Sequence, residues 1–261
     1  MSSRKFAIVT GASSGIGLEI AKLAAQDGYD LLVAADTPFV EAGPALEGLG
    51  VEVQSIETDL SSRQGVEQLL AAVGDRPVHV LVANAGHGLG HAFLDQATDE
   101  WMHVLNTDIT GTLLLIQPIV KRMVERGEGR VLITGSIAGH LAGSFQAVYN
   151  GSKAFIDSFA AALGNEIKDS GVTVTCLKPG ATETNFFHRA ELDDTKVGQA
   201  KKDDPADVAR AGWEAMNNGE ASVIYGLKNK MQVAAAGVMT DAMTAEMHRK
   251  QAEPGSGRGE S

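Results

Sequence analysis

Seven short apolar, β-branched runs punctuate the chain: FAIVT (6–10), DLLVAA (30–35), VEVQSI (51–56), VHVLVA (78–83), RVLITG (130–135), VTVTCL (172–177) and SVIYG (222–226). Most are continuous rather than alternating, as parallel strands buried on both faces require. Between them apolar residues recur at helical spacing: Ile16, Ile20, Leu23 and Ala24 after the first run, Val66, Leu69, Leu70 and Val73 after the third. Strand, helix and strand in repetition predict an α/β domain whose parallel sheet is covered on both faces. No linker or internal repeat divides residues 1–250, which read as one domain. Residues 251–261 turn to Gly, Ser and polar composition and read as a disordered tail.

Composition narrows the classes. With 44% hydrophobic and 21% charged residues the chain is an ordinary globular protein. Its net charge of −11 argues against a nucleic-acid binder, which would carry a basic face. The single cysteine, Cys176, lies in an apolar run and reads as a small buried hydrophobe. No stretch approaches the roughly 18 apolar residues of a membrane span, and the N-terminal apolar run is too short for a signal peptide. The expectation is a soluble, cytoplasmic protein. The histidines at 87, 91, 103, 140 and 188 come with no Cys/His ligand cluster, so no metal site is expected.

Two motifs carry chemistry. TGASSGIG (10–17) ends the first strand and opens the first helix. Its glycines at 11, 15 and 17 let the backbone turn tightly and approach a ligand. The helix start offers free N–H groups and a positive dipole end to a pyrophosphate. YNGSK (149–153) sets Tyr149 and Lys153 at i and i+4, on one helix face. An ammonium close to a phenol favours the phenolate and lowers its pKa. That suits Tyr149 as general acid for carbonyl reduction and general base for alcohol oxidation. Ser136, at the end of the fifth run, could donate to a substrate oxygen as negative charge develops on it. Gly151, inside a helix, suggests a close approach of backbone to a ligand or a neighbouring helix.

These motifs, with ANAG (83–86), Asn106 in VLNTDITG, Ser136 in VLITGSIAG and KPGATET (178–184), occur in an order that resembles the short-chain dehydrogenase/reductase family over roughly residues 5 to 226. The resemblance implies a doubly wound, Rossmann-like parallel sheet of seven strands, order 3-2-1-4-5-6-7, with helices on both faces. It implies a nicotinamide-dependent oxidoreductase interconverting an alcohol and a ketone or aldehyde, with Asn106, Ser136, Tyr149 and Lys153 as the catalytic set. Asn106 would fix a water linking Lys153 to solvent, and Lys153 would hold the nicotinamide ribose. Gly11, Ser13, Ser14, Gly15, Ile16, Gly17, Asp59, Leu60, Asn84, Ala85, Gly86, Pro179, Gly180, Thr182 and Thr184 would line the cofactor, joined by Tyr149 and Lys153. Ala83 departs from the family, which usually has a second asparagine there. Two other readings stay open on the same scaffold: a cofactor-binding sensor with little turnover, and an epimerase or lyase.

Asp36 decides the cofactor expectation. An acid about 20 residues past the glycine turn bonds the adenosine 2′-hydroxyl and repels a 2′-phosphate. With no lysine or arginine nearby in the sequence, NAD is favoured over NADP. Alternatively, Asp36 caps a helix beginning near Pro38. Around the substrate the resemblance places His87 to Phe93, Ala138 to Gln146 and the stretch from Thr184, with Ser136, His140 and Phe186 as contacts and an apolar alcohol or ketone as substrate. Of Phe186 and Phe187, one at least could be core. The segment 227–250 could cover the substrate mouth, bind another subunit or touch a membrane surface. Relatives commonly form homodimers or homotetramers through segments 98–125 and 148–170.

Overall fold

In the computed structural model, which describes residues 4–40 and 42–257, seven strands make one sheet. They are Phe6–Thr10 (β1), Asp30–Ala35 (β2), Val53–Glu57 (β3), Val80–Ala83 (β4), Gly129–Thr134 (β5), Val172–Lys178 (β6) and Ser222–Ile224 (β7). Every pairing is parallel and the order is β3-β2-β1-β4-β5-β6-β7. The helices are Gly15–Gln26 (α1), Ala42–Glu47 (α2), Arg63–Val73 (α3), Thr98–Leu105 (α4), Thr112–Arg126 (α5), Ala147–Glu166 (α6), Phe186–Arg189 (α7), Lys196–Gln199 (α8), Pro205–Asn217 (α9), Leu227–Ala236 (α10) and Asp241–Ala252 (α11).

Successive strand residues point to opposite faces, and the continuous apolar runs therefore feed two cores. Ile8, Leu32, Leu81 and Val131 meet α3, α5 and α6 on one side. Val9, Val33, Val82 and Leu132 meet α1 and α9 on the other. Trp213 Nε1 of α9 donates to Asp27 at the end of α1 (2.8 Å), fixing that pair of helices. The Ser62 hydroxyl caps α3 by accepting from Gly65 N–H at 3.0 Å, and Asp204 caps α9 ahead of Pro205. Between α4 and α5 the helix widens into a π turn, Asn106–Gly111.

Two expectations are corrected. The helix after β2 begins at Ala42, not near Pro38, so Asp36 does not cap it. Residues 251–257 are held rather than loose. Gly257 N–H donates to the Asp194 carbonyl (2.9 Å), Gly255 N–H to its carboxylate (2.8 Å), and Lys196 N–H to Ser256 Oγ (3.1 Å). Composition could not show that Asp194 would accept from both Gly255 and Gly257; residues 258–261 lie outside the described residues.

Candidate active site

The strands' C-terminal ends open on a cavity of about 480 Å³. Sheet order reverses between β1 and β4, the position where open α/β sheets leave a crevice. Gly11 (φ +65°) and Gly15 (φ +56°) take left-handed backbone there, at low cost only for glycine. Asn84 braces the turn: its Nδ2 donates to Thr10 O (3.1 Å) and Gly11 O (3.4 Å), while Thr134 Oγ1 donates to its Oδ1 (3.0 Å). One side chain thus ties the ends of β1, β4 and β5. The Ser14 side chain caps no N–H of α1, and Gly15, Ile16 and Gly17 border the cavity. That donor set fits a phosphate-bearing ligand. Each residue expected from the sequence to hold the cofactor borders the same cavity, Asp36 and Asp59 included. Asp59 also accepts from Ser61 N–H and Oγ (2.8 and 2.7 Å).

Ser136, Tyr149 and Lys153 line the inner end and are all buried. Ser136 Oγ accepts from Ala138 N–H at 3.1 Å, which orients the hydroxyl on the turn after β5. Lys153 Nζ lies 5.7 Å from the centre of the Tyr149 ring. The expected acidic phenol is not what this environment makes. Burial pushes the Tyr149 pKa up, Lys153 pulls it down, Asp108 adds to the rise, and the net direction is upward. For Lys153, burial pulls down, but the Asp108 carboxylate and then Tyr149 outweigh it and the ammonium is strengthened.

Asn106 is the member of the set that the fold does not bring in. It opens the π turn and is not part of the cavity wall. The wide turn presents Asp108 instead, whose Oδ2 is 3.4 Å from Lys153 Nζ. Sequence reading missed Asp108, although the one charged residue inside VLNTDITGTLLLI, a helical stretch that ends in an apolar run, was the available signal.

On the substrate side, Phe186 borders the cavity with its ring 5.1 Å from that of Tyr149, whereas Phe187 packs with Ala190 and Leu192 in a small core. His140 is corrected: the short turn Ile137–His140 carries its ring away from the cavity wall, to 3.5 Å from Asp157 and 3.3 Å from Lys178. His87 packs edge-on against His103 (4.7 Å), while His91 pairs with Glu191 (2.8 Å). Among the described residues no group of three or more His, Cys, Asp or Glu is arranged to hold a metal. Burial pushes the Cys176 thiol up to about 12.

The fold also supplies wall residues that the motifs did not identify. Met247, His248 and Gln251 of α11 face the cavity, and α11 is anchored to the loop after Ser136 by Ala142 N–H to Thr244 Oγ1 (3.3 Å) and His248 Nδ1–H to Ser144 O (2.8 Å). From α7, Arg189 reaches to 3.5 Å from Asp36. No lysine or arginine is near Asp36 in the sequence, but the chain folds back across the cavity and brings in one that is 153 positions away. Gly151 is exposed, and a Cβ there would meet no other part of this chain within 4 Å.

Comparison with known proteins agrees with the geometry. The short chain dehydrogenase family profile matches residues 5–195. A Streptomyces coelicolor protein provisionally named ketoacyl reductase is 38% identical over 184 residues, 68% of this chain and 70% of its own. The 3-oxoacyl-(acyl-carrier-protein) reductase of Vibrio cholerae is 29% identical, over 79% and 87% of the two chains. A short-chain dehydrogenase from Sphingobium yanoikuyae, solved in complex with NADPH, superposes with a TM-score of 0.78 at 25% identity, over 91% and 95%. No helix among the described residues is long and apolar enough to cross a membrane. With the profile covering most of the chain and the sheet order and cavity in place, this chain belongs to the short-chain dehydrogenase/reductase family, whose members are oxidoreductases of alcohol and carbonyl groups.

Proposed function

We propose that the chain interconverts an alcohol and a ketone or aldehyde with a nicotinamide cofactor, Tyr149 moving the proton. The observation that carries this reading is the convergence of Ser136, Tyr149 and Lys153 on the cavity that the glycine turn opens. The first turn of α1 would hold the pyrophosphate, Asp36 the adenosine ribose, and Lys153 the nicotinamide ribose. A nicotinamide held there would supply or accept the hydride of the substrate carbon. Ser136 donates to the substrate oxygen and holds it near Tyr149. In reduction the phenol gives its proton to that oxygen; in oxidation the phenolate takes it back. Phe186, with its ring 5.1 Å from that of Tyr149, and Met247 line the cavity and support an apolar substrate.

Asp36 supports NAD(H) over NADP(H), since a carboxylate accepts from a 2′-hydroxyl and repels a 2′-phosphate. Arg189 offsets part of that charge. The reading extends to a homodimer or homotetramer, which the exposed Met102 of α4 and Phe155 of α6 support.

The test is the change in nicotinamide absorbance across a panel of alcohols and ketones. Tyr149→Phe should lower kcat by roughly 10²–10⁴-fold with cofactor affinity retained. Unchanged turnover in that variant would refute the proposed role.

A further inference from the structure

Asp108 is a buried charge to which the reaction proposed above assigns no role. None of its side chain reaches solvent. Its Oδ1 accepts from the His87 backbone N–H at 2.8 Å. Its Oδ2 accepts from Ser152 Oγ at 2.8 Å and stands 3.4 Å from Lys153 Nζ. A loop after β4, the π turn and α6 thus converge on one carboxylate. A neutral amide of the same shape would accept from His87 N–H and donate to Ser152 Oγ, whose own proton then goes to the Tyr149 carbonyl at 2.8 Å, without the desolvation cost of a buried charge. What only a carboxylate provides is a counter-charge for the ammonium.

We propose that Asp108 is a positioning residue that pins the Lys153 ammonium beside Tyr149 and takes up its charge, so that the phenol stays a proton donor through neutral pH. The proposal rests on the reading that Tyr149 moves the proton. Lys153 has one other hydrogen bond, to Thr134 O at 3.4 Å, which fixes its position without altering its charge. An ammonium acting alone would draw the phenol proton off; one paired to a carboxylate does so far less. The other charged or titratable groups around the phenol are Asp157 on its own helix, His87 in the loop after β4 and His103 on α4. Asp157 opposes the phenolate as Asp108 does, and burial disfavours protonation of His87. In reduction the carbonyl carbon gains the hydride, its oxygen gains the Tyr149 proton, and the phenolate left behind recovers a proton from water. Alcohol oxidation needs the phenolate at the outset. Its rate should therefore rise only toward alkaline pH, while reduction stays level across neutrality.

The chain has three tyrosines, Tyr29, Tyr149 and Tyr225, so Tyr29→Phe with Tyr225→Phe leaves Tyr149 as the sole phenol. Its ionisation is then read by ultraviolet phenolate absorbance without turnover. In that background Asp108→Asn, which keeps shape and the bond from His87 N–H while reversing the one with Ser152 Oγ, should lower the Tyr149 midpoint by about one pH unit or more, and the alkaline limb of alcohol oxidation should move equally. Asp108→Glu, which keeps the charge, should move it by less than half as much. An unmoved midpoint, equal shifts in both variants, or an Asp108→Asn chain that does not fold would each overturn the proposal, the last by making the carboxylate a structural anchor. Absence of turnover with every substrate would instead defeat the functional reading, while the titration would still decide the role of Asp108.

Discussion

The guanidinium of Arg189, on the short helix after Thr184, lies 3.5 Å from the carboxylate of Asp36 at the end of β2, and both side chains are partly exposed. Two segments far apart in sequence thus meet over the rim where the adenosine ribose would rest. An exposed pair of this kind contributes little to stability, so its effect should appear in ligand choice. Arg189→Ala leaves the carboxylate unopposed and should widen the preference for NADH over NADPH. Asp36→Ala leaves the guanidinium free for a 2′-phosphate and should tighten NADPH by about tenfold, the worth of one charge-assisted hydrogen bond. Fluorescence titration of each variant with both dinucleotides checks this. Unchanged Kd ratios would remove Asp36 as the determinant.

Two glycines in comparable helical settings should respond oppositely to alanine. At Gly17 a Cβ would overlap Gly11 O and stand 2.6 Å from Asn84 Nδ2, neither of which can yield without opening the turn. Gly17→Ala should cost about 2 kcal/mol, as overpacking does, lowering Tm by roughly 4–8 °C and weakening dinucleotide binding. At Gly151 there is open space, and alanine should gain about 1 kcal/mol of helix propensity. Thermal melts of the two variants check both signs.

The sheet order and the gathering of Ser136, Tyr149 and Lys153 on one cavity were legible because they rest on local rules. Continuous apolar runs mark strands buried on both faces, and i, i+4 spacing placed Tyr149 and Lys153 together. What was not legible depended on where distant segments return. Asn106 and Asp108 are two residues apart in a helical stretch, and only the extra width of the π turn decides which side chain faces Lys153. Spacing rules for a regular helix cannot anticipate that turn. His140 was misplaced for a related reason, since its turn is pulled toward Asp157 and Lys178. The acidity of the phenol was misjudged because sequence shows the neighbouring ammonium but not the burial or the second carboxylate that oppose it.

Ser136 provides a separate test of how the substrate oxygen is held. Its hydroxyl accepts from Ala138 N–H, and 3.5 Å away is the Pro179 carbonyl, a long contact that a stronger acceptor could replace. A substrate oxygen gaining negative charge is such an acceptor. Ser136→Ala should lower kcat by about 10²-fold and leave the dinucleotide Kd unchanged, because Gly11 to Gly17 are untouched. Steady-state kinetics with a binding titration separates the two. A loss confined to KM would place Ser136 in ground-state binding alone.

Acid should loosen the wall built by α11. His248 donates from Nδ1 to Ser144 O, and burial, the dominant cause, holds its pKa below the ordinary value of 6.5 even though that hydrogen bond raises it slightly. The folded chain therefore keeps this ring neutral at a pH where the unfolded chain has already protonated it. The sign follows from linkage: the contribution is fully present above the unfolded pKa of about 6.5 and is lost as pH falls through the lower folded value. His87, lowered by burial and by His103 and Arg189, acts in the same sense on the opposite wall. Tm should thus be level above pH about 7 and fall below pH about 6. His248→Gln, which cannot titrate yet can still donate to Ser144 O, should shrink that fall while leaving Tm at pH about 7.5 nearly unchanged. Equal acid sensitivity in the variant and the parent would show that protonation of His248 does not govern the seating of α11.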